Sequence, residues 1–234
     1  MKQYILSIVS LFFLLVGCQQ EELIEQQGTG YLSLESLTLQ AVSHQPVTRA
    51  GVEEGLGCEI YDSTGKEIFS LAPGTEYVSQ LMELEVGTYT LKAYNQAYLD
   101  NDYSTWTNSE LGEAIHYIET FFTIEAGKTN YLKVEVPMIN FAVCLESIQG
   151  EEFFQKFELV VTVGERVLWL KKGDVGYFLP VKGDETPLSY YISYTNNDDE
   201  RATGDAKTLP SVPAANTQYN FVYNIETETL EVQE

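Results

Sequence analysis

The sequence has few of the side chains that most often carry out chemistry. Its 234 residues include two histidines and three cysteines. His44 and His116 have no serine or cysteine placed near them as a nucleophile would be. The chain also lacks the GxSxG, HExxH and P-loop motifs and a GxGxxG that follows a strand. We therefore expect a protein that is not an enzyme, with no catalytic residue, metal site or cofactor.

Positively charged residues are also few. Thirteen lysines and arginines stand against 35 aspartates and glutamates, which gives a net charge of −22. Such a surface repels phosphate backbones, so nucleic acid is excluded as a partner. In contrast, tyrosine and phenylalanine are plentiful, with 16 and 11 copies. Aromatic side chains are enriched in strands, which favours β structure.

The first residues resemble a lipoprotein export signal. An apolar run from Tyr4 to Val16 follows Lys2 and is too short to span a bilayer, so residues 1–17 are predicted to be a signal peptide. The residues before Cys18 resemble a bacterial lipobox, which implies a diacylglycerol on that thiol and a lipid-anchored protein of the outer membrane. Residues 18–29 form a polar tether. Its first acidic residues either resemble the surface-export signal of Bacteroidetes lipoproteins or are a solvated linker.

From Tyr31 onward, apolar residues alternate, with breaks every eight to twelve residues. This pattern is typical of all-β sandwiches. We predict two tandem β-sandwich domains, residues 30–137 and 138–234, with the boundary at Pro137. Hairpins are expected around Gly65, around Gly127 and between Tyr219 and Val232, and the first strand should break near Glu35. Short helices are expected at residues 109–117 and 151–156.

Four stretches carry a resemblance to a known family, and their order along the chain strengthens it. They are Gly30-Tyr31-Leu32-Ser33-Leu34, Val47-Thr48-Arg49-Ala50, the strand from Gly87 to Ala93, and Asn140-Phe141-Ala142-Val143. Together with the lipobox they resemble the fimbrillin-like surface lipoproteins of Bacteroidetes, of the DUF 4493 type. The resemblance implies two transthyretin-like sandwiches in a shaft, tip or anchor subunit of a fimbria, with other fimbrial subunits or surface ligands as partners.

The resemblance also implies a maturation step. In polymerising members of that class, a trypsin-like protease cuts after an arginine that follows the first strand, and a strand of the next subunit fills the gap by β-augmentation. Arg49 and Ala50 lie where that cut would fall. The displaced segment would then be Tyr31 to Val42, and the donor Tyr219 to Val232. The alternative is a loop arginine of no consequence, in an uncleaved monomer or fimbrial anchor.

A second function remains open on sequence alone. Tyr98, Tyr103 and Trp106 alternate with amides and carboxylates between Tyr94 and Tyr117, a combination that suits sugar rings in an outer-membrane glycan-binding lipoprotein. The alternative is an ordinary long loop with one buried tryptophan. Trp169, in the middle of a predicted strand, is expected to pack in the core or on a sheet face.

The remaining cysteines and the acidic loops leave alternatives of their own. Cys58 and Cys144 could form a disulfide in an oxidising compartment or remain two buried thiols. The acidic stretches near Asp100 and Asp198 lack the spacing of an EF-hand, and charged sandwich loops commonly serve solubility.

Overall fold

The structure is a computed structural model that describes residues 28–34, 38–42, 55–75, 80–100, 106–180 and 187–233. Its regular elements are strands except for one short helix, α1 (Gln96–Asp100), and a 3-10 turn (Glu151–Phe153), which confirms the all-β prediction. None of the helices in these ranges is long and apolar enough to cross a membrane. The strands are β1 (Thr29–Ser33), β2 (Thr38–Val42), β3 (Gly57–Tyr61), β4 (Glu67–Leu71), β5 (Leu81–Glu85), β6 (Gly87–Tyr94), β7 (Tyr117–Ile124), β8 (Thr129–Asn130), β9 (Lys133–Pro137), β10 (Phe141–Gln149), β11 (Phe154–Val163), β12 (Arg166–Leu170), β13 (Val175–Phe178), β14 (Leu188–Asn196), β15 (Arg201–Thr203), β16 (Lys207–Thr208), β17 (Gln218–Asn224) and β18 (Thr229–Gln233).

In the first half of the chain, one larger sheet faces two small ones. The larger sheet has the antiparallel order β4-β3-β6-β7. The small sheets have the orders β5-β1-β8 and β2-β9. Tyr89, Leu91 and Ala93 alternate along β6 and point inward, as the period of two requires. They share one apolar cluster with Leu32 of β1 and Val136 of β9, so the sheets form a sandwich.

The second half repeats this arrangement with larger sheets. One sheet has the order β13-β10-β17-β18, in which β10 and β17 run parallel. The other has the order β12-β11-β14-β15, and β16 also pairs with β14. Leu159 and Val161 of β11 pack against Phe221 of β17 in the apolar cluster between the sheets. This cluster takes its buried residues from Phe141 to Tyr223, whereas the cluster of the first half runs from Leu32 to Val136.

A third, smaller cluster lies where the halves meet. Met138, Ala142 and Tyr177 form it, and Trp106 packs against them. Asn140 is fully buried beside it, and its amide donates to the carbonyl of Glu113 at 2.8 Å. The predicted domain boundary at Pro137 coincides with the end of β9 and stays a prediction.

The hairpin predicted around Gly127 is wrong. Gly127 does make a turn, with φ of 68°, but the strands on its two sides belong to different sheets. β7 pairs with β6, whereas β8 and β9 pair in parallel with β1 and β2. The chain crosses here because Val134 and Val136 of β9 must cover the opposite side of the core. The hairpins β3–β4 and β17–β18 form as predicted.

The predicted helix at 109–117 is also absent, and the break in the first strand falls where expected. Residues 107–116 have one turn, at 108–109, and one isolated bridge, at His116, before β7 begins at Tyr117, while the helical turns lie earlier, in α1. The buried side chains of Asn95 and Asn140 hold the backbone at Ala114 and Ile115. These bonds give the segment an alternative to helical pairing.

β1 ends at Ser33 and β2 begins at Thr38, on either side of Glu35.

Neighbouring phenylalanines on β7 provide a test of the sandwich. Phe122 points into the core and stacks on Tyr89 at 5.6 Å, whereas Phe121 is 68% exposed. Phe122→Ala should lower the free energy of unfolding by about 3 kcal/mol or more, because it leaves a cavity. Phe121→Ala, its control, should change that free energy by less than about 1 kcal/mol. Urea unfolding measures both, and equal effects would contradict the assigned faces of β7.

Candidate functional site: the strands that close the first sandwich

β1 is hydrogen-bonded on both of its edges. It pairs antiparallel with β5, from Thr29 opposite Glu85 to Ser33 opposite Leu81. On the other edge, Tyr31 and Leu32 pair in parallel with β8. Bonds beyond the ladder extend this pairing, including Tyr31 N–H to the Lys128 carbonyl at 2.8 Å. β1 is therefore a central strand although it comes from the start of the described chain.

The side chains of β1 fill the core rather than rest on it. Leu32 is fully buried, and Leu34, directly after the strand, is 2% exposed. Burying a leucine contributes about 1.5–3 kcal/mol. Gly30 faces a neighbour so closely that a Cβ there would lie 2.3 Å from the carbonyl oxygen of Glu125. The strand fits this position because it has glycine at one inward site and leucine at the next.

β2 completes the other small sheet of the same sandwich. It pairs in parallel with β9 along its whole length, from Thr38 opposite Lys133 to Val42 opposite Pro137. Leu39 of β2 packs against the first core. Residues 43–54, which join β2 to the larger sheet, lie outside the described residues. Arg49 and Ala50, the predicted processing site, fall in that segment, and the predicted lipidation site Cys18 also lies outside the described residues.

The predicted donor segment divides into two strands of different character. β17 lies between β10 and β18, and its Tyr219 and Phe221 are almost completely buried. β18 is at the end of its sheet order, and its Leu230 and Val232 are only partly buried. An edge strand can leave with fewer broken contacts than a central one. β18 is therefore the part of the predicted donor that could be exchanged at lower cost.

Of the predicted sugar-binding residues, the structure describes Tyr98 and Trp106, while Tyr103 lies outside the described residues. Tyr98 is on α1, where its ring stacks on Tyr117 at 4.3 Å and on Tyr94 at 6.0 Å. Tyr94 also donates a hydrogen bond to Glu59 at 2.8 Å. Burial first, and then this carboxylate, raise the pKa of Tyr94. Tyr98 thus belongs to a stacked group of tyrosines on the outside of the larger first-half sheet.

Trp106 lies at the junction, under an arginine that sequence reasoning assigned no role. The guanidinium of Arg166 is 5.1 Å from the centre of the Trp106 ring. Arg166 also donates to the carbonyls of Thr107 at 3.1 Å and Glu110 at 2.5 Å. Burial lowers its pKa while Glu110 opposes that shift, and a guanidinium remains charged throughout. These contacts fasten the segment after Trp106 to β12, and they cover part of the ring that a sugar would need.

The cysteines and the acidic turn are not part of a metal-binding cluster in the described ranges. Cys58 and Cys144 are both buried and no disulfide joins them, so of the two alternatives left open by the sequence the structure has the two buried thiols. Burial, with help from Glu59, raises the pKa of Cys58 to about 12, so the thiol stays protonated. In the acidic turn, Asn196 Oδ1 accepts from the N–H groups of Asp198 and Glu200. No cluster of three or more metal-ligating side chains occurs among the described residues.

The structure thus defines a class: an all-β sandwich protein in which segments from the start of the described chain complete the first core. The chain belongs to the family described as domain of unknown function DUF4493, whose family model matches residues 28–233. The match begins where the described structure begins and covers both sandwiches. No curated protein matches the chain.

Several solved structures resemble the chain in fold. It is similar to the tip fimbrial protein Mfa3 from Porphyromonas gingivalis, with 11% identity, a TM-score of 0.46, and coverage of 88% of this chain and 98% of that one. It is similar to the fimbrilin FimA from Porphyromonas gingivalis, with 8% identity, a TM-score of 0.46, and coverage of 87% and 95%. For a candidate cell adhesion protein from Bacteroides uniformis, the values are 7% identity, a TM-score of 0.48, and coverage of 88% and 96%.

The close fit of β1 can be tested at its glycine. Gly30→Ala should lower the free energy of unfolding by about 1–3 kcal/mol, because the added methyl group would overlap the backbone at Glu125. Gly87→Ala is the matched control, since a Cβ there has nothing within 4 Å. Chemical denaturation compares the two variants. A Gly30→Ala protein as stable as the Gly87→Ala protein would contradict the tight insertion of β1.

Proposed function

We propose that this protein is a lipid-anchored cell-surface subunit of a fimbria that assembles by strand exchange after proteolysis. The observation that supports this most directly is the position of β1 and β2. Both strands complete the core of the first sandwich, and both precede the segment that contains Arg49. A single cut after Arg49 would therefore release both strands together.

The same cut would separate the body of the protein from its lipid. In this proposal the acyl chains are on Cys18 of the lipobox-like sequence, and β1 begins at Thr29, eleven residues later. Anchor, tether, β1 and β2 thus form one continuous piece on the amino-terminal side of Arg49. In this proposal an uncleaved chain stays in the membrane as an anchor, and a cleaved chain becomes free to join a filament.

Loss of β1 and β2 would expose unpaired strand edges and an apolar groove to water. β5, β8 and β9 would each lose the backbone partner that they have in the intact chain. The apolar side chains Leu84, Val134 and Val136 would lose the cover of Leu32 and Leu39. Unpaired strand edges beside an apolar groove bind another strand readily. The natural occupant is an extended segment with apolar residues at alternate positions.

β18 has that pattern. β2 reads Thr38-Leu39-Gln40-Ala41-Val42, and β18 reads Thr229-Leu230-Glu231-Val232-Gln233. Apolar residues occupy the second and fourth positions in both strands. β18 is also an edge strand, so it can leave its own sheet without opening the centre of the second core. We assign the donor role to β18 and leave β17 in place.

Protease treatment of the full-length protein in detergent tests the cut. Wild type exposed to an arginine-specific protease should yield a chain that begins at Ala50 and forms multimers on native mass measurement. Arg49→Gln should keep its amino terminus and stay monomeric. Arg201→Gln is the control, because it removes an exposed arginine from β15 and should behave as wild type. Multimers of uncut Arg49→Gln, or a wild type that remains monomeric after cutting, would overturn the proposal.

A second variant separates cleavage from assembly. In Leu230→Asp/Val232→Asp, both partly buried apolar residues of β18 become charged. The protease should still produce the chain that begins at Ala50, but multimers should be lost, because a charged strand cannot fill an apolar groove. Circular dichroism establishes that the variant remains folded. Multimers at the wild-type level would show that β18 is not the donor.

A further inference from the structure

The outer face of the β12-β11-β14-β15 sheet carries an ordered set of side chains that strand exchange does not use. Residues directly opposite one another on paired strands point to the same side of a sheet. Lys156, Thr195 and Arg201 are opposite one another across β11, β14 and β15. Leu159 and Val161 of β11 point into the core, so the alternating positions 156, 158 and 160 point outward.

The next two rows continue along the same face. Glu158, Ser193 and Thr203 are opposite one another in the second row. Val160 of the third row is opposite Trp169 on one side and Tyr191 on the other. The face therefore changes from charged and hydroxyl-bearing at one end to aromatic at the other.

Trp169 forms an aromatic platform with Tyr191. Its side chain is 48% exposed, and the two ring centres are 6.5 Å apart at an angle of 82°. Val160, between them, is fully buried although it points away from the core, because the rings cover it. Exposed aromatic rings beside hydrogen-bonding groups suit the C–H faces of sugars. The sequence-based expectation of sheet-face packing is confirmed for Trp169, but much of the ring stays accessible.

A pocket of about 400 Å³ lies at the charged end of the face. Lys156 and Arg201 line it together with the hydroxyl-bearing Ser193, Thr195 and Thr203. Two cationic side chains in one pocket stand out in a chain with 13 lysines and arginines against 35 acidic residues. Arg201 forms no ion pair with another residue in the described ranges. Its planar guanidinium matches the two oxygens of a carboxylate.

Glu158 holds the ammonium group of Lys156 in position beside this pocket. Its side chain is buried, and its Oε2 is 2.8 Å from Nζ of Lys156. That oxygen accepts no well-angled hydrogen bond, so the contact is an ion pair without hydrogen-bond geometry. The ammonium group has three donors, and Lys156 remains largely exposed, so it can contact a ligand as well.

We infer that this face binds a short acidic oligosaccharide, with a sugar ring on Trp169 and Tyr191 and a sugar carboxylate between Arg201 and Lys156. Thr195 and Tyr191 are four residues apart on β14, so the pocket and the platform are separated by about 13 Å at 3.3 Å per residue. A single sugar does not span this distance, whereas a short oligomer does. The net charge of −22 repels long polyanions, which restricts the ligand to a short or terminal acidic chain.

Calorimetric titration of the full-length protein in detergent tests the site. The probes are a trimer of galacturonic acid, the neutral trimer of galactose, a sulfated galactose trimer and a triglutamate peptide. The galacturonate trimer should bind most tightly, and Arg201→Gln should weaken it at least about tenfold through loss of charge-assisted hydrogen bonds. Lys66→Gln, an exposed lysine in the β3–β4 turn, is the control and should leave binding unchanged. Trp169→Ala should weaken the binding of the galacturonate and galactose trimers alike.

The other outcomes overturn the inference in separate ways. Absence of galacturonate binding, or equal binding by Arg201→Gln and wild type, would show that the pocket does not recognise a sugar carboxylate. Triglutamate bound as tightly as galacturonate, with no effect of Trp169→Ala, would identify a site for acidic peptides. Tighter binding of the sulfated trimer than of the galacturonate trimer would show that the pocket recognises a sulfate and not a carboxylate. These variants keep Arg49, β1, β2 and β18 intact, so failure here is distinguishable from failure of strand exchange.

Discussion

The pairing of β1 on both edges is the constraint on which the rest of the first sandwich depends. The strand satisfies backbone groups of β5 on one side and of β8 on the other, and its Leu32, with Leu34 directly after it, fills the core between the sheets. Any segment that takes this place must be extended, must alternate apolar and polar residues, and must be small where Gly30 approaches Glu125. These requirements apply to the place of β1, whereas the assigned donor β18 matches the place of β2.

The junction between the halves combines a small apolar cluster with polar side chains that bond to the backbone. Its cluster has three buried members, Met138, Ala142 and Tyr177. Asn140 and Arg166 supply directional bonds to the backbone between Thr107 and Ile115. A buried amide that loses its partner costs more free energy than an exposed one, so these bonds specify one arrangement of the segment. They also explain why the segment from Thr107 to Ile115 is fixed to the protein surface without forming a helix or a strand.

Residue patterns within short stretches of the sequence predicted the features of the fold that involve neighbouring residues. Alternation identified the inward face of β6, and the turn around Gly65 identified the β3–β4 hairpin. The pairing of β8 and β9 with β1 and β2 was out of reach, because it joins residues about a hundred positions apart and depends on which side of the core needs cover. The row of Lys156, Thr195 and Arg201 was missed for the same reason: its members come from three strands, and no single stretch shows them together.

The parallel pairing of β1 with β8 has a consequence for the order of folding. Tyr31 is among the first described residues to be synthesised, yet its partner Thr129 follows only after most of the first sandwich. Contacts between distant parts of a chain form slowly, because the loop between them must close first. The segment from Tyr31 to Val42 therefore remains without its parallel partners β8 and β9 while the intervening strands emerge. The first core can therefore close fully only after β8 and β9 have been synthesised.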